Sequence, residues 1–210
     1  MAPALLVIAK EPLPGRVKTR LTPPCTPRQA AALAQAALDD TLRTALGARA
    51  GRRVLVLDGR PGAWVPDAFE VIAQRGQGLA ERMAAAFAEV DGPAFLVGMD
   101  TPQLTPALLD QGLAAVAAGE AAFGPAVDGG YWGIGLPAPD ARVFHGIPMS
   151  EVTTGAAQRA RMAMLGLRTR VLPALRDVDA IADARAAAAL APGGLFAAAL
   201  DAMDGKGIAA

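Results

Sequence analysis

Residues 95–104, FLVGMDTPQL, constrain this chain more than any other stretch. Phe95, Leu96 and Val97 form a short apolar run between Gly92-Pro93 and Gly98, the pattern of a central strand covered on both faces. Gly98 permits a sharp exit, Asp100 stands at the strand's carboxyl end, and Pro102 has a fixed dihedral and no N–H. Thr105-Pro106 then reads as a helix N-cap followed by proline at the first helical position. Strand, acidic turn and helix in such quick succession predict an open α/β sheet, whose carboxyl edge is where ligands bind. An acid on that edge is placed to hold a metal; the alternative is an aspartate that only caps its turn.

The 210 residues suit one domain with a full hydrophobic core, so residues 1–210 are expected to form a single unit with 203–210 as a frayed tail. Twenty basic residues balance 20 acidic ones, and no apolar run approaches the ~20 residues of a membrane helix. The N-terminus lacks the layout of a signal peptide, so a cytoplasmic location is expected. Cys25 and His145 are single, which excludes an internal disulfide and the usual zinc clusters. Any metal must be held by carboxylates, and oxygen ligands favour Mg²⁺ or Mn²⁺.

Charge is unevenly spread. Lys10, Arg16, Lys18, Arg20 and Arg28 face Glu11 alone within the first 28 residues. That segment has no aromatic residue for base stacking and the rest of the chain offers no basic face, so nucleic acid is not the expected partner. Residues 4–9 (ALLVIA) predict the first strand and 10–21 (KEPLPGRVKTRL) a loop on the same edge as Asp100. If that loop is extended, Arg16, Lys18 and Arg20 point the same way, and phosphate oxygens are their natural counterpart.

Thr26-Pro-Arg-Gln29 has the form of a capping box opening a helix over 27–46. Strands are expected at 53–58 and 69–73, then a loop at 74–78 (QRGQG) and a helix carrying Leu79, Met83 and Phe87. Gly76 and Gly78 allow backbone N–H groups to approach a ligand, and Arg82 faces either the cleft or solvent. The second informative stretch is 121–135, AAFGPAVDGGYWGIG. Two strands flank Asp128, Gly129 and Gly130, beside Tyr131 and Trp132; this is either a plain hairpin or a carboxylate with aromatic faces that holds a sugar or base. A last strand is expected at 168–172, and Asp177 and Asp179 follow it; Asp179 also suits the N-cap of a helix over 180–190. A break at Pro192-Gly193-Gly194 interrupts the alanine-rich end.

Five segments together, 9–21, 74–83 (QRGQGLAERM), 98–104 (GMDTPQL), 124–136 (GPAVDGGYWGIGL) and 176–179 (RDVD), resemble a bacterial family of small GT-A-type, glycosyltransferase-like proteins. The resemblance spans about residues 5–184 and places the chain in the nucleotide-diphospho-sugar transferase superfamily. It implies a Rossmann-like, three-layer α/β/α sandwich with a mostly parallel mixed sheet. It also implies a glycosyltransferase that uses a nucleotide-diphospho-sugar, with Mg²⁺ or Mn²⁺, to load a small acceptor. The alternatives are a nucleotidyltransferase activating a small phosphorylated substrate, and a nucleotide-binding protein without catalysis. By the resemblance, Lys10, Arg16, Lys18 and Arg20 face the nucleotide phosphates, while Asp100 and Asp177 hold the metal; Gly78 and Arg82, from the 74–83 segment, are further candidates for the nucleotide site. Asp128 orients or deprotonates the acceptor, and Gly129, Gly130, Tyr131 and Trp132 line its site. The chain departs from related patterns in having MDT in place of a two-aspartate turn, and Gln77 where many relatives have aspartate.

Overall fold

In β1 (Ala4–Lys10) both alternating sets of side chains are apolar, and they enter two different cores. Leu5, Val7 and Ala9 pack with α1 (Pro27–Leu46) and α3 (Pro106–Ala117); Ala4, Leu6 and Ile8 pack with α2 (Leu79–Ala88) and α4 (Thr154–Met164). A strand buried on both faces has to lie inside a sheet with helices above and below it. The computed structural model, which describes residues 2–205, has this architecture.

The sheet has seven strands in the order β3-β2-β1-β4-β6-β5-β7. β2 (Arg52–Asp58), β3 (Glu70–Ala73) and β4 (Ala94–Gly98) run parallel with β1. β6 (Tyr131–Leu136) lies antiparallel between β4 and β5 (Ala121–Pro125), and β7 (Thr169–Val171) runs parallel to β5 at the edge. The chain winds outward from β1 through β2 and β3 and then returns to β1's other side as β4. The switch point therefore lies between β1 and β4, and the loops that follow these two strands flank a crevice. The fold is the expected Rossmann-like sandwich with a mixed sheet.

A further layer covers α1. Its outer face, with Ala30, Leu33 and Ala37, packs on α5 (Ile181–Leu190) and α6 (Leu195–Asp204) through Ala184, Ala187, Phe196 and Leu200. Asp40 of α1 fixes α6 by accepting from the N–H groups of Leu195 and Phe196 at 2.9 and 2.8 Å. No helix among the described residues is long and apolar enough to cross a membrane.

Local structure departs from the expected reading in three places. The loop after β1 is not extended: Lys18 sits in the left-handed region (φ 48°) and Thr19–Leu21 close into a 3-10 turn. Asp179 does not cap α5; Asp183 does, by accepting from the N–H of Ala180 at 3.0 Å. Met203 and Asp204 belong to the last turn of α6, with Met203 buried, so they are not part of a frayed tail. The remaining tail, 206–210, lies outside the described residues.

Candidate functional site

At the switch point a cleft of about 860 Å³ opens over the ends of β1 and β4. The turn after β4 and the segment before α5 are stitched together along one wall. The N–H of Val178 donates to the carbonyl of Asp100 at 3.1 Å, Gln103 Nε2 to the carbonyl of Arg176 at 2.7 Å, and Thr101 Oγ1 to Asp177 Oδ1 at 3.4 Å. Lys18 completes the seam from the other loop. Its Nζ donates to the carbonyl of Val178 and lies 2.7 Å from Asp100 Oδ1, with the lysine side chain only 8% exposed. Asp100, Asp177 and Asp179 thus line the cleft together, and Asp128 joins them from across it. The crowding acts on Asp177. Burial, and then the charges of Asp100, Asp128 and Asp179, push its pKa up to about 7 against the opposing pull of Lys18.

The basic residues do not act as one row. The left-handed turn at Lys18 sends its ammonium inward to Asp100, whereas Arg16 and Arg20 remain exposed at the cleft. Arg20 is held by Asp179, Nη1 to Oδ2 at 2.6 Å. Lys10 reaches the cleft from the end of β1. Arg82 faces the cleft and is fixed there by Asp58 at 2.8 Å and by Gln74 Oε1 at 3.0 Å. Gly78, at the start of α2, lines the cleft with a φ of 89°; Gly76 instead packs against Glu81. Thr101 and Gln74 line the cleft, and Gln103 and Asp58 brace it through Arg176 and Arg82; the expected site includes none of the four. Asp58 ends β2 much as Asp100 follows β4, so the strand-end rule could have found it.

The 128–132 stretch divides between the site and the core. Asp128 lines the cleft and accepts from the N–H of Gly130, which also lines it, at 2.9 Å. Gly129 serves the fold instead: a Cβ there would come within 2.1 Å of the Val152 carbonyl, and its own carbonyl accepts from Gly155 N–H at 2.8 Å. Trp132 borders the cleft but is mostly given to the core. It is 2% exposed, donates Nε1–H to the carbonyl of Pro173 at 3.0 Å, and meets Phe95 edge-on with ring centroids 5.8 Å apart. The cause is a β-bulge. Gly124 pairs with Gly133 but Pro125 pairs with Tyr131, so Trp132 is the extra residue and Tyr131 turns to the opposite face of the sheet. The Tyr131 O–H donates to Gln158 Oε1 at 3.2 Å, and burial raises its pKa.

The family described as "Uncharacterized protein conserved in bacteria (DUF2064)" matches residues 32–151, more than half of the chain. The chain belongs to the DUF2064 family. Among solved structures, this DUF2064 protein is similar to one from Desulfovibrio desulfuricans G20 provisionally assigned as a nucleotide-diphospho-sugar transferase. The two are 29% identical with a TM-score of 0.78 over 87% of this chain and 85% of the other. A nucleotidyl transferase from Methanothermobacter is 15% identical, with a TM-score of 0.61 over 92% and 100% of the two chains. Rv0371c from Mycobacterium tuberculosis H37Rv, solved in complex with manganese, is 19% identical, with a TM-score of 0.52 over 89% and 98%. These last two bear on the fold alone. No curated protein matches the sequence.

Among the described residues of the DUF2064 chain, no three His, Cys, Asp or Glu side chains converge as a ready-made metal cage. The donor set nevertheless fits a hard cation. Asp177 is a carboxylate whose negative charge is opposed by three neighbouring acids and helped by one lysine, and Asp100 keeps 45% of its side chain exposed beside it. Two carboxylates suit Mg²⁺ or Mn²⁺, which retain water and complete their shells with substrate phosphates.

Proposed function

We propose that this DUF2064 protein is a glycosyltransferase that takes a sugar from a nucleotide-diphospho-sugar and passes it to a small hydroxylated acceptor. The observation that carries the reading is one cleft, at the sheet's switch point, holding two opposed sets of charges. Asp100 and Asp177 form one set; Lys10, from the end of β1, and Arg16 and Arg20, from the loop after it, form the other. A diphosphate with a divalent cation matches both at once. The Desulfovibrio relative, at 29% identity, supports a nucleotide-linked transfer.

In this reading Arg16 and Arg20 bind the diphosphate, and Lys18 keeps Asp100 in place. Gly78 and Arg82, on the far side of the cleft, take the nucleoside. Asp100 and Asp177 would hold Mg²⁺ or Mn²⁺, which when bound would supply charge neutralisation for the departing diphosphate. The acceptor oxygen bonds to the anomeric carbon as the bond from that carbon to the diphosphate oxygen breaks, and Asp128 takes the acceptor's proton. The nucleoside diphosphate leaves with the bonding electrons.

The test compares products. Nucleoside diphosphate released from a diphospho-sugar in the presence of Mn²⁺ supports glycosyl transfer; pyrophosphate released from a nucleoside triphosphate overturns it in favour of nucleotidyl transfer. Donor hydrolysis, with water in the acceptor's place, gives a turnover assay. Asp128→Asn is expected to slow that hydrolysis by roughly 100-fold or more while nucleotide affinity stays near that of the parent. Loss of nucleotide affinity would assign Asp128 to the donor. Arg20→Ala is expected to weaken a nucleoside diphosphate about tenfold, since charge-assisted hydrogen bonds to phosphate are lost, and to leave the bare nucleoside unaffected. Equal losses for both ligands in calorimetry would remove Arg20 from the phosphate site.

A further inference from the structure

Beyond Gly78 and Arg82, which the transfer reading gives to the nucleoside, the α2 side of the cleft carries an apolar stretch of wall to which that reading assigns no ligand. The bulge in β6 that buries Trp132 turns Tyr131 onto the α2/α4 face of the sheet, where its O–H lies 3.7 Å from Met83 Sδ and 4.0 Å from Met149 Sδ. Gly98, the last residue of β4, lies on the same face by alternation with Leu96. A Cβ built on Gly98 meets no heavy atom closer than 4.0 Å, and its φ is not positive. Neither packing nor backbone geometry therefore requires glycine there. The position simply leaves the floor of the cleft bare between Leu96, Met83 and Tyr131, all of which line it.

The buried polar groups behind this wall are bonded within the chain, while Ser150 and Glu151 line the cleft beside Met149. Tyr131 is tied to Gln158, which is fully buried and donates in turn to the carbonyl of Val143 at 2.8 Å; Thr154 Oγ1 donates to the carbonyl of Pro148 at 2.7 Å. What Leu96, Met83 and Met149 present to the space is hydrocarbon and sulfur. At the mouth, Leu79 and Val152 line the cleft while 42% and 77% exposed, which leaves apolar surface uncovered. The clustered acids belong to the opposite side, where Val17, Met99 and Leu172 join the α1/α3 core; on this side Arg82 is paired with Asp58 and Glu151 stands near Met149. Asp128 and Gly130 stand at the junction, one facing the acids and the other adjoining Tyr131.

We infer that Gly98, Met83, Tyr131 and Met149 form an acceptor subsite for an alcohol with an apolar body, such as an aromatic or short hydrocarbon ring, whose hydroxyl points to Asp128. The assignment to the acceptor rests on the glycosyl-transfer reading; the pocket and its apolar preference do not. A side chain at Gly98 fills the floor without straining the strand, which makes this residue the size filter of the subsite.

Ligand-observed NMR with benzyl alcohol as the probe, and glycerol as the polar control, tests the inference on the full chain. Benzyl alcohol is expected to give saturable binding that glycerol does not, and Gly98→Val to weaken it about tenfold or more by filling the floor. Met149→Gln should weaken it as well, and serves as the second variant should Gly98→Val not fold. In the same samples, the thermal shift given by nucleoside diphosphates with Mn²⁺ is expected to survive both substitutions. Absence of saturable binding, equal binding by Gly98→Val and Met149→Gln, or equal binding of glycerol overturns the subsite. Displacement of benzyl alcohol by a nucleoside diphosphate overturns it by giving the wall to the nucleobase. Failure of nucleotides to bind while benzyl alcohol does would overturn the transfer reading and leave the pocket standing.

Discussion

Asp177→Asn is expected to make the ligand-free protein more stable and, with the same substitution, inactive. Asp177 is pushed up to about pH 7 by burial and by Asp100, Asp128 and Asp179. An unfolded aspartate titrates near 4. Between these values the unfolded chain has released the proton that the native chain still holds, so native stability falls as pH rises. The penalty is absent below about pH 4, builds between about 4 and 7, and is fully present above 7. Three pH units correspond to ~4 kcal/mol at most, and because Asp177 lines an open cleft we expect about 2 kcal/mol. Thermal unfolding should show Asp177→Asn gaining at pH 8 and gaining nothing at pH 4. With Mn²⁺ and a nucleoside diphosphate the order should reverse, because only the parent has both carboxylates to hold the cation. Donor hydrolysis should fall roughly 100-fold or more with the loss of that charge neutralisation. An asparagine variant no more stable than the parent at pH 8 would show that the acids do not crowd one another.

Lys18→Met is expected to cost stability instead. The ammonium is almost fully buried between Asp100 and the Val178 carbonyl, and methionine keeps the stem while removing every donor. Breaking a buried pair on one side costs ~3–5 kcal/mol. Asp100 is 45% exposed and can be rehydrated, so about 2 kcal/mol is the expected loss. In a domain of this size that lowers the melting temperature by roughly 4–8 °C. The 176–179 segment loses a tether as well, so its amides should exchange faster with solvent. An unchanged melting temperature and unchanged exchange would mean that Lys18 does not hold the seam.

Which residues reach the cleft was partly legible. Asp100, Asp177 and the basic loop could be placed because each follows a strand of an α/β sheet, and strand ends share one edge whatever the details of packing. The direction of each side chain was not legible. Alternation along residues 16–20 suggested three cations pointing alike, but that holds only for an extended chain, and the left-handed Lys18 and the 3-10 turn break it. Adjacent Tyr131 and Trp132 suggested a pair of aromatic faces, but neighbours on a strand point to opposite sides, and a bulge, which depends on pairing with β5, decides which core each one enters.

Sequence by itself determined the layers, because doubly apolar strands alternating with capped amphipathic helices have few other ways to bury their surfaces. It also determined the sheet edge at which the acids and cations collect. Tertiary structure alone decided which charges neutralise one another. Lys18 meets Asp100 across 82 residues and Arg20 meets Asp179 across 159, and no local pattern records such a pairing. It also decided that α6 docks on α1 through Asp40, and that the cleft keeps an apolar stretch apart from its clustered acids. The reason is the same in each case. These contacts form between elements distant in the chain, after local preferences have already been satisfied, and they are selected by the space the packed layers leave.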